Sequence, residues 1–185
     1  MGTSFRDLDN HNVEVIADRS GGAVIVDLEH HRIHRGQAFQ FIAFPVLDGT
    51  TPAYRLFRTG SKVLHFKEIV ATSEKTDFVL ELYEGPTISN TGTEVNNKIS
   101  FNRISNEDCE LTIFTSPTVT ADGFLLDKYY LPGGEAPGGN FSGESQSSEW
   151  EFVLKPNTDY LIKGYRITGT GTNQVLVKYR WYIQE

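Results

Sequence analysis

The chain has 185 residues, of which 38% are hydrophobic and 22% charged, a balance that suits one folded domain with its own core rather than a disordered chain. Its 24 Asp and Glu outnumber 17 Lys and Arg, for a formal net charge of -7. A protein that grips nucleic acid needs a basic face, so nucleic acid is not an expected partner. One cysteine, Cys109, excludes an intrachain disulfide and any cysteine-based zinc finger.

The N-terminal residues show no basic stretch followed by an apolar run, so a secretory signal is not expected. There is no run of about 18 apolar residues, so neither a spanning helix nor a membrane partner is expected. Residues 1–22 read as a polar N-terminal arm with one short alternation, Val13-Glu14-Val15-Ile16, closed by Ser20-Gly21-Gly22. Such a segment gains order from a partner. Residues 23–28 form a short apolar run that reads as a strand.

Residues 29–36 spell EHHRIHRG and hold three of the five histidines. Read as a strand, they put His30, Arg32 and His34 on one face and His31 and Ile33 on the other. His30 and His34 are then about 13 Å apart at about 3.3 Å per residue, too far to share a metal. A helix would bring them together, as in metalloprotease helices. The flanking pattern is not helical, however, and Arg32 and Arg35 add positive charge. No metal site is therefore expected within the chain. A meeting of one of these histidines with its symmetry mates on an oligomer axis stays open.

Strand signals follow in number. Residues 39–44 alternate weakly up to Pro45. Phe57-Arg58-Thr59-Gly60-Ser61-Lys62 lacks the Walker spacing and reads as a turn. Residues 63–70 alternate, and residues 78–83 place Phe78, Leu80 and Leu82 on one side. Residues 111–115 and 124–130 are shorter candidates. Residues 132–148 are rich in Gly and Ser and read as an exposed loop. Residues 149–154 put Trp150, Phe152 and Leu154 inward. After the turn Lys155-Pro156-Asn157-Thr158, residues 159–168 form a strand. Residues 174–183 close the chain with Val175, Val177, Tyr179, Trp181 and Ile183 on one face. Strict period-two alternation marks half-buried strands. The expected fold is all-β: an antiparallel, jelly-roll-like β-sandwich over residues 23–185, with an extended N-terminal arm.

Candidates for chemistry are few. Glu149 and Glu151 share a strand face, as do Glu81 and Tyr83. Paired carboxylates can hydrolyse glycosides, but alternation of Glu149 and Glu151 with Trp150 and Phe152 reads as the solvated side of an amphipathic strand. Cys109 sits among Glu107, Asp108 and Glu110, which disfavour a thiolate. Asn140-Phe141-Ser142 matches a glycosylation sequon that means little without a secretion signal. Trp150 and Trp181 fall on apolar faces and read as core. Neither catalysis nor a cofactor is expected.

Three stretches together carry a resemblance: His31-Arg32-Ile33-His34-Arg35-Gly36; Leu82-Tyr83-Glu84-Gly85-Pro86-Thr87-Ile88-Ser89-Asn90-Thr91-Gly92-Thr93-Glu94 followed by Asn102-Arg103-Ile104-Ser105; and the Gly/Ser-rich loop leading into Glu151-Phe152-Val153-Leu154-Lys155-Pro156-Asn157-Thr158-Asp159-Tyr160-Leu161. In this order they resemble the capsid decoration (cement) proteins of tailed bacteriophages. The resemblance implies a jelly-roll subunit, usually a homotrimer, on the outer capsid surface and bound to the major capsid protein. It also recasts residues 29–35 as the first strand of the sandwich, ended by Gly36. Apolar residues in the polar arm, Phe5, Leu8, Val13, Val15 and Ile16, with Val24 and Val26, are the expected capsid or subunit contacts. The virion, assembled in a bacterial cytoplasm, is the expected location. A phage tail, baseplate or head–tail component, a lectin-like carbohydrate-binding module and a jelly-roll hydrolase are the alternatives.

Overall fold

The structure, a computed structural model, describes residues 3–6, 12–17, 23–24, 28–48, 51–73, 77–131, 151–167 and 172–184. The arm region contains β1 (Thr3–Arg6), β2 (Asn12–Ala17) and β3 (Ala23–Val24), an antiparallel sheet in that order. Of the strand expected over residues 23–28, Ala23 and Val24 lie in β3 and Leu28 opens a helix, while residues 25–27 lie outside the described residues. That helix is α1 (Leu28–His34).

The helix corrects the strand reading of residues 29–35. Its end explains why. Gly36 has φ +76, its N–H donates to the Ile33 carbonyl (2.9 Å), and the Gln37 N–H donates to the Arg32 carbonyl (2.9 Å). These two bonds make a Schellman cap, which needs a residue at ease in the left-handed region. Gly36 therefore ends a helix, and His31, Arg32 and His34 crowd its last turn, where cations offset the helix dipole.

The sandwich strands are β4 (Ala38–Ala43), β5 (Val46–Asp48), β6 (Ala53–Thr59), β7 (Leu64–Ser73), β8 (Phe78–Glu84), β9 (Thr87–Asn90), β10 (Thr93–Val95), β11 (Ile99–Ser100), β12 (Leu111–Thr115), β13 (Thr118–Ala121), β14 (Phe124–Leu131), β15 (Phe152–Leu154), β16 (Asp159–Arg166) and β17 (Thr172–Ile183). One sheet runs β10-β12-β6-β16-β8-β14. The other runs β11-β4-β17-β7-β15, with β5 also paired to β17. Every pairing within them is antiparallel. Along the chain β4, β6, β7, β8, β14, β15, β16 and β17 change sheet at each step except from β8 to β14. The chain between those two adds β10 and β12 to one sheet, β11 to the other, and a β9–β13 pair. The molecule is an all-β antiparallel sandwich.

The core lies between the sheets, where period-two alternation sends every second side chain. From β17 come Val175, Val177, Tyr179, Trp181 and Ile183; from β8 come Phe78, Leu80 and Leu82; all are buried. Trp181 stacks on Phe39, and Tyr179 meets Phe41 and Phe57. The Trp181 Nε1–H donates to the Cys109 carbonyl (3.0 Å), so its one polar atom is satisfied inside. Core packing is the role of Trp181; Trp150 lies outside the described residues.

The turn expected over Phe57–Lys62 is also corrected. Phe57, Arg58 and Thr59 end β6, and Phe57 is fully buried. The run looked like a turn because Arg58 and Thr59 break the apolar pattern. The Thr59 hydroxyl donates to the Lys155 carbonyl (2.7 Å) and accepts from the Thr158 N–H (2.9 Å). Buried Tyr160 accepts from the Lys155 N–H (2.9 Å) and donates to Glu84 (3.2 Å). The Lys155–Tyr160 motif thus locks β16 to β6 and β8.

Candidate functional site

The outer face of each sheet carries one polar cluster, and α1 carries a third. On the β7–β17 face, His65 and Tyr182 lie opposite each other in register, and their rings stack at 4.6 Å. Glu151 lies 2.7 Å from His65 Nδ1 and accepts two bonds from the Tyr182 hydroxyl (2.7 and 2.9 Å). Gln184 lies 2.9 Å from His65 Nε2. On Tyr182 also rests the Arg32 guanidinium, 5.8 Å from the ring centroid. Arg32 donates to Gln37 (2.9 Å) and to the Ile183 carbonyl (3.1 Å), tying α1 to the sheet. Burial, and then Glu151, push the Tyr182 hydroxyl pKa up, so it acts as a donor. Both ring nitrogens of His65 are engaged, and so is the carboxylate. Glu151 is exposed, as alternation predicts, but it holds two side chains rather than water alone. Its expected companion Glu149 lies outside the described residues.

On the other outer face, side chains line up in rows across the strands. One row runs Phe114, Leu56, Leu161, Tyr83, Leu125. The next runs Tyr54, Lys163, Glu81, Lys128. Tyr165, Val79 and Tyr130 follow. Glu81 is buried and anchors this face. It accepts from Tyr83 (2.7 Å) and Tyr165 (3.0 Å) and pairs with Lys128 (2.9 Å). Burial alone would raise its pKa; Lys128 and the two tyrosyl hydroxyls outweigh that, and the net shift is downward. Lys163 pairs with Asp122 (2.6 Å) and lies 5.9 Å from the ring centroids of both Tyr83 and Tyr165. The shared face of Glu81 and Tyr83 was visible in the sequence. Lys128, Lys163 and Tyr165 were not, because they are distant in sequence, Tyr165 by 84 residues from Glu81, and meet it only through strand register.

On α1, the helix brings His30 and His34 together. Their Nε2 atoms are 2.9 Å apart and the rings meet edge to face. The sequence reading had them about 13 Å apart, as a strand requires. Among the described residues, no group of three or more His, Cys, Asp or Glu converges as a metal cage. Cys109 is buried, and burial raises its thiol pKa, which suits an inert core role.

Five of the seven expected contact residues fall within β1–β3. Phe5 pairs with Val13, Val15 with Thr3, and Ile16 with Val24. Leu8 and Val26 lie outside the described residues, as do the Gly/Ser-rich loop over 132–148 and the sequon at Asn140. Exposed apolar side chains that the sequence reading missed line β14: Phe124 is 74% exposed, Leu125 44% and Tyr130 55%. Val153 on β15 is 58% exposed. The signal was present in Phe124-Leu125-Leu126, since three consecutive apolar residues cannot all face one core. Leu126 turns inward at a register shift in β14 and packs on the core. Compared with family models, curated proteins and solved structures, the chain has no match.

Proposed function

We propose that this chain is a structural virion protein that decorates and stabilises a phage capsid. In this reading it forms a homotrimer on the outer surface of the major capsid protein lattice. The observation that carries the reading is the apolar edge of the sandwich. β14 and β15 are terminal strands of their sheets, and β14 lies against β7 across the sandwich, so both edges fall on one side. An edge strand normally carries charge or is covered, because its free N–H and C=O groups invite pairing. Here β14 carries exposed Phe124, Leu125 and Tyr130 alongside the exposed Lys128, an apolar content that suits contact with another subunit. The order β4-β17-β7-β15 and β6-β16-β8-β14 also supports a jelly roll, an architecture common in viral capsid domains. The capsid contact itself is assigned to Phe5, Leu8, Val13, Val15, Ile16, Val24 and Val26. Electron microscopy of particles with and without the protein tests the proposal. Extra density at local three-fold positions is expected; density confined to the tail would overturn it in favour of a tail or baseplate component.

A second reading is favoured by one observation. Tyr54, Tyr83, Tyr165 and Tyr130 share the outer face built around Glu81, together with Lys128 and Lys163. Aromatic rings flanked by polar groups are the usual means of fixing a ligand on a surface, and a lectin-like module would use this face for a sugar. A glycan array on the purified protein decides it: binding lost in Tyr165→Ala supports the sugar face, and a blank array removes it.

A further inference from the structure

We propose that His30 and His34 form a two-imidazole chelate for a divalent transition metal. Both residues are exposed on one face of α1. The two Nε2 atoms lie 2.9 Å apart, a distance at which neutral rings share one proton, one Nε2–H donating to the other Nε2. A cation entering there displaces that proton to solvent and gains both nitrogens. With metal–nitrogen bonds of about 2.0–2.1 Å, a separation of 2.9 Å subtends about 90° at the metal. That angle fits the tetragonal or octahedral preference of Cu(II) and Ni(II).

The surroundings answer the objection raised by Arg32. Arg32 is turned to the sheet, where Gln37, the Ile183 carbonyl and Tyr182 hold it. His34 is the last residue of the helix, the end at which the helix dipole carries partial negative charge. The helix is pinned where the pair sits: the Asn102 side chain donates to the His34 carbonyl (2.8 Å), and Gly36 caps the last turn. The backbone that carries the two rings is therefore set in place before the metal arrives, which lowers the ordering cost of binding. Two protein nitrogens leave the remaining coordination positions to water. The site does not depend on the virion reading.

Calorimetric titration of untagged full-length protein with Ni2+ and with Cu2+ tests it, alongside His30→Ala, His34→Ala and His31→Ala. One metal per chain is expected, with affinity falling more than about tenfold in either chelate variant and holding in His31→Ala. Paramagnetic resonance of the Cu(II) form is expected to show two coordinated imidazole nitrogens, and one in each single variant. Undiminished binding in the double variant His30→Ala/His34→Ala would overturn the site, as would a wild-type affinity no higher than that of either single variant.

Discussion

Glu81 shows how much one side chain can organise. A carboxylate buried without partners costs several kcal/mol, yet this one is held by Lys128 and two tyrosyl hydroxyls. Lys128 is half exposed, so screening discounts its part, and the tyrosines supply the rest. Glu81→Gln keeps the shape and removes the charge. It should cost about 1.5–3 kcal/mol, the range for a hydrogen bond to a charged group, read as a lower urea midpoint at neutral pH. The pH dependence has a definite sign. The folded-state pKa of Glu81 lies below its ordinary value, so its stabilisation is present above the normal carboxylate range and is lost as pH falls through the depressed value. Glu84 behaves alike, lowered first by Lys155. Wild type should therefore lose more stability than Glu81→Gln on acidification from about pH 7 to about pH 3. Equal losses in the two proteins would show that the Glu81 charge contributes nothing.

At the scale of elements, α1 depends on its cap. A Cβ at Gly36 would run into the Ser105 side chain, and the φ of +76 strains any L residue. Gly36→Ala should destabilise by about 1–3 kcal/mol, more than the usual helix cost, because both the backbone and Ser105 must give. Denaturant unfolding measures it, and a neutral substitution would mean that α1 does not need this cap. The helix also shows where legibility ended. β17 could be read directly, because one buried face imposes period two from Val175 to Ile183, and β8 and β16 were legible from their dense apolar residues, which are buried on both faces. A helix of 7 residues spans under two turns and cannot display a 3.6 period, so only its end signals remained: Gly36 and the basic last turn. β6 was lost for another reason. Its inner face is Ala53, Arg55, Phe57 and Thr59, with Arg55 bonded to Thr115 (2.7 Å) and Thr59 to the 155–158 turn. Tertiary hydrogen bonds, which no local window contains, make those polar side chains tolerable inside. The polar clusters were hidden likewise: His65 meets Glu151 from 86 residues away.

For the whole molecule, the apolar edge is the proposed subunit contact. Burying Phe124 and Leu125 contributes about 1.5–3 kcal/mol each at best, while association costs about 4–15 kcal/mol. Two side chains alone therefore do not hold an oligomer; Tyr130 and the backbone of β14, which among the described residues pairs on one side only, must join the contact. Such an interface sits close to balance, and one charge placed in it should break it. If the proposed homotrimer forms through this edge, Leu125→Asp is expected to convert it to monomer in sedimentation equilibrium. Its own unfolding midpoint should change by only about 0.5 kcal/mol in stability, since an exposed position carries little of the fold. Ile104→Asp makes the sharper control. Ile104 is 91% exposed, more than either edge residue, but it follows β11, whose partner β4 lies at the far end of that sheet from β15. If exposure alone drove association, Ile104→Asp would dissociate the protein as well as Leu125→Asp does. If the β14–β15 edge drives it, Ile104→Asp stays trimeric. A wild-type chain that remains monomeric at every concentration would remove the edge as a subunit contact and leave Phe124 and Leu125 to be covered by the capsid itself.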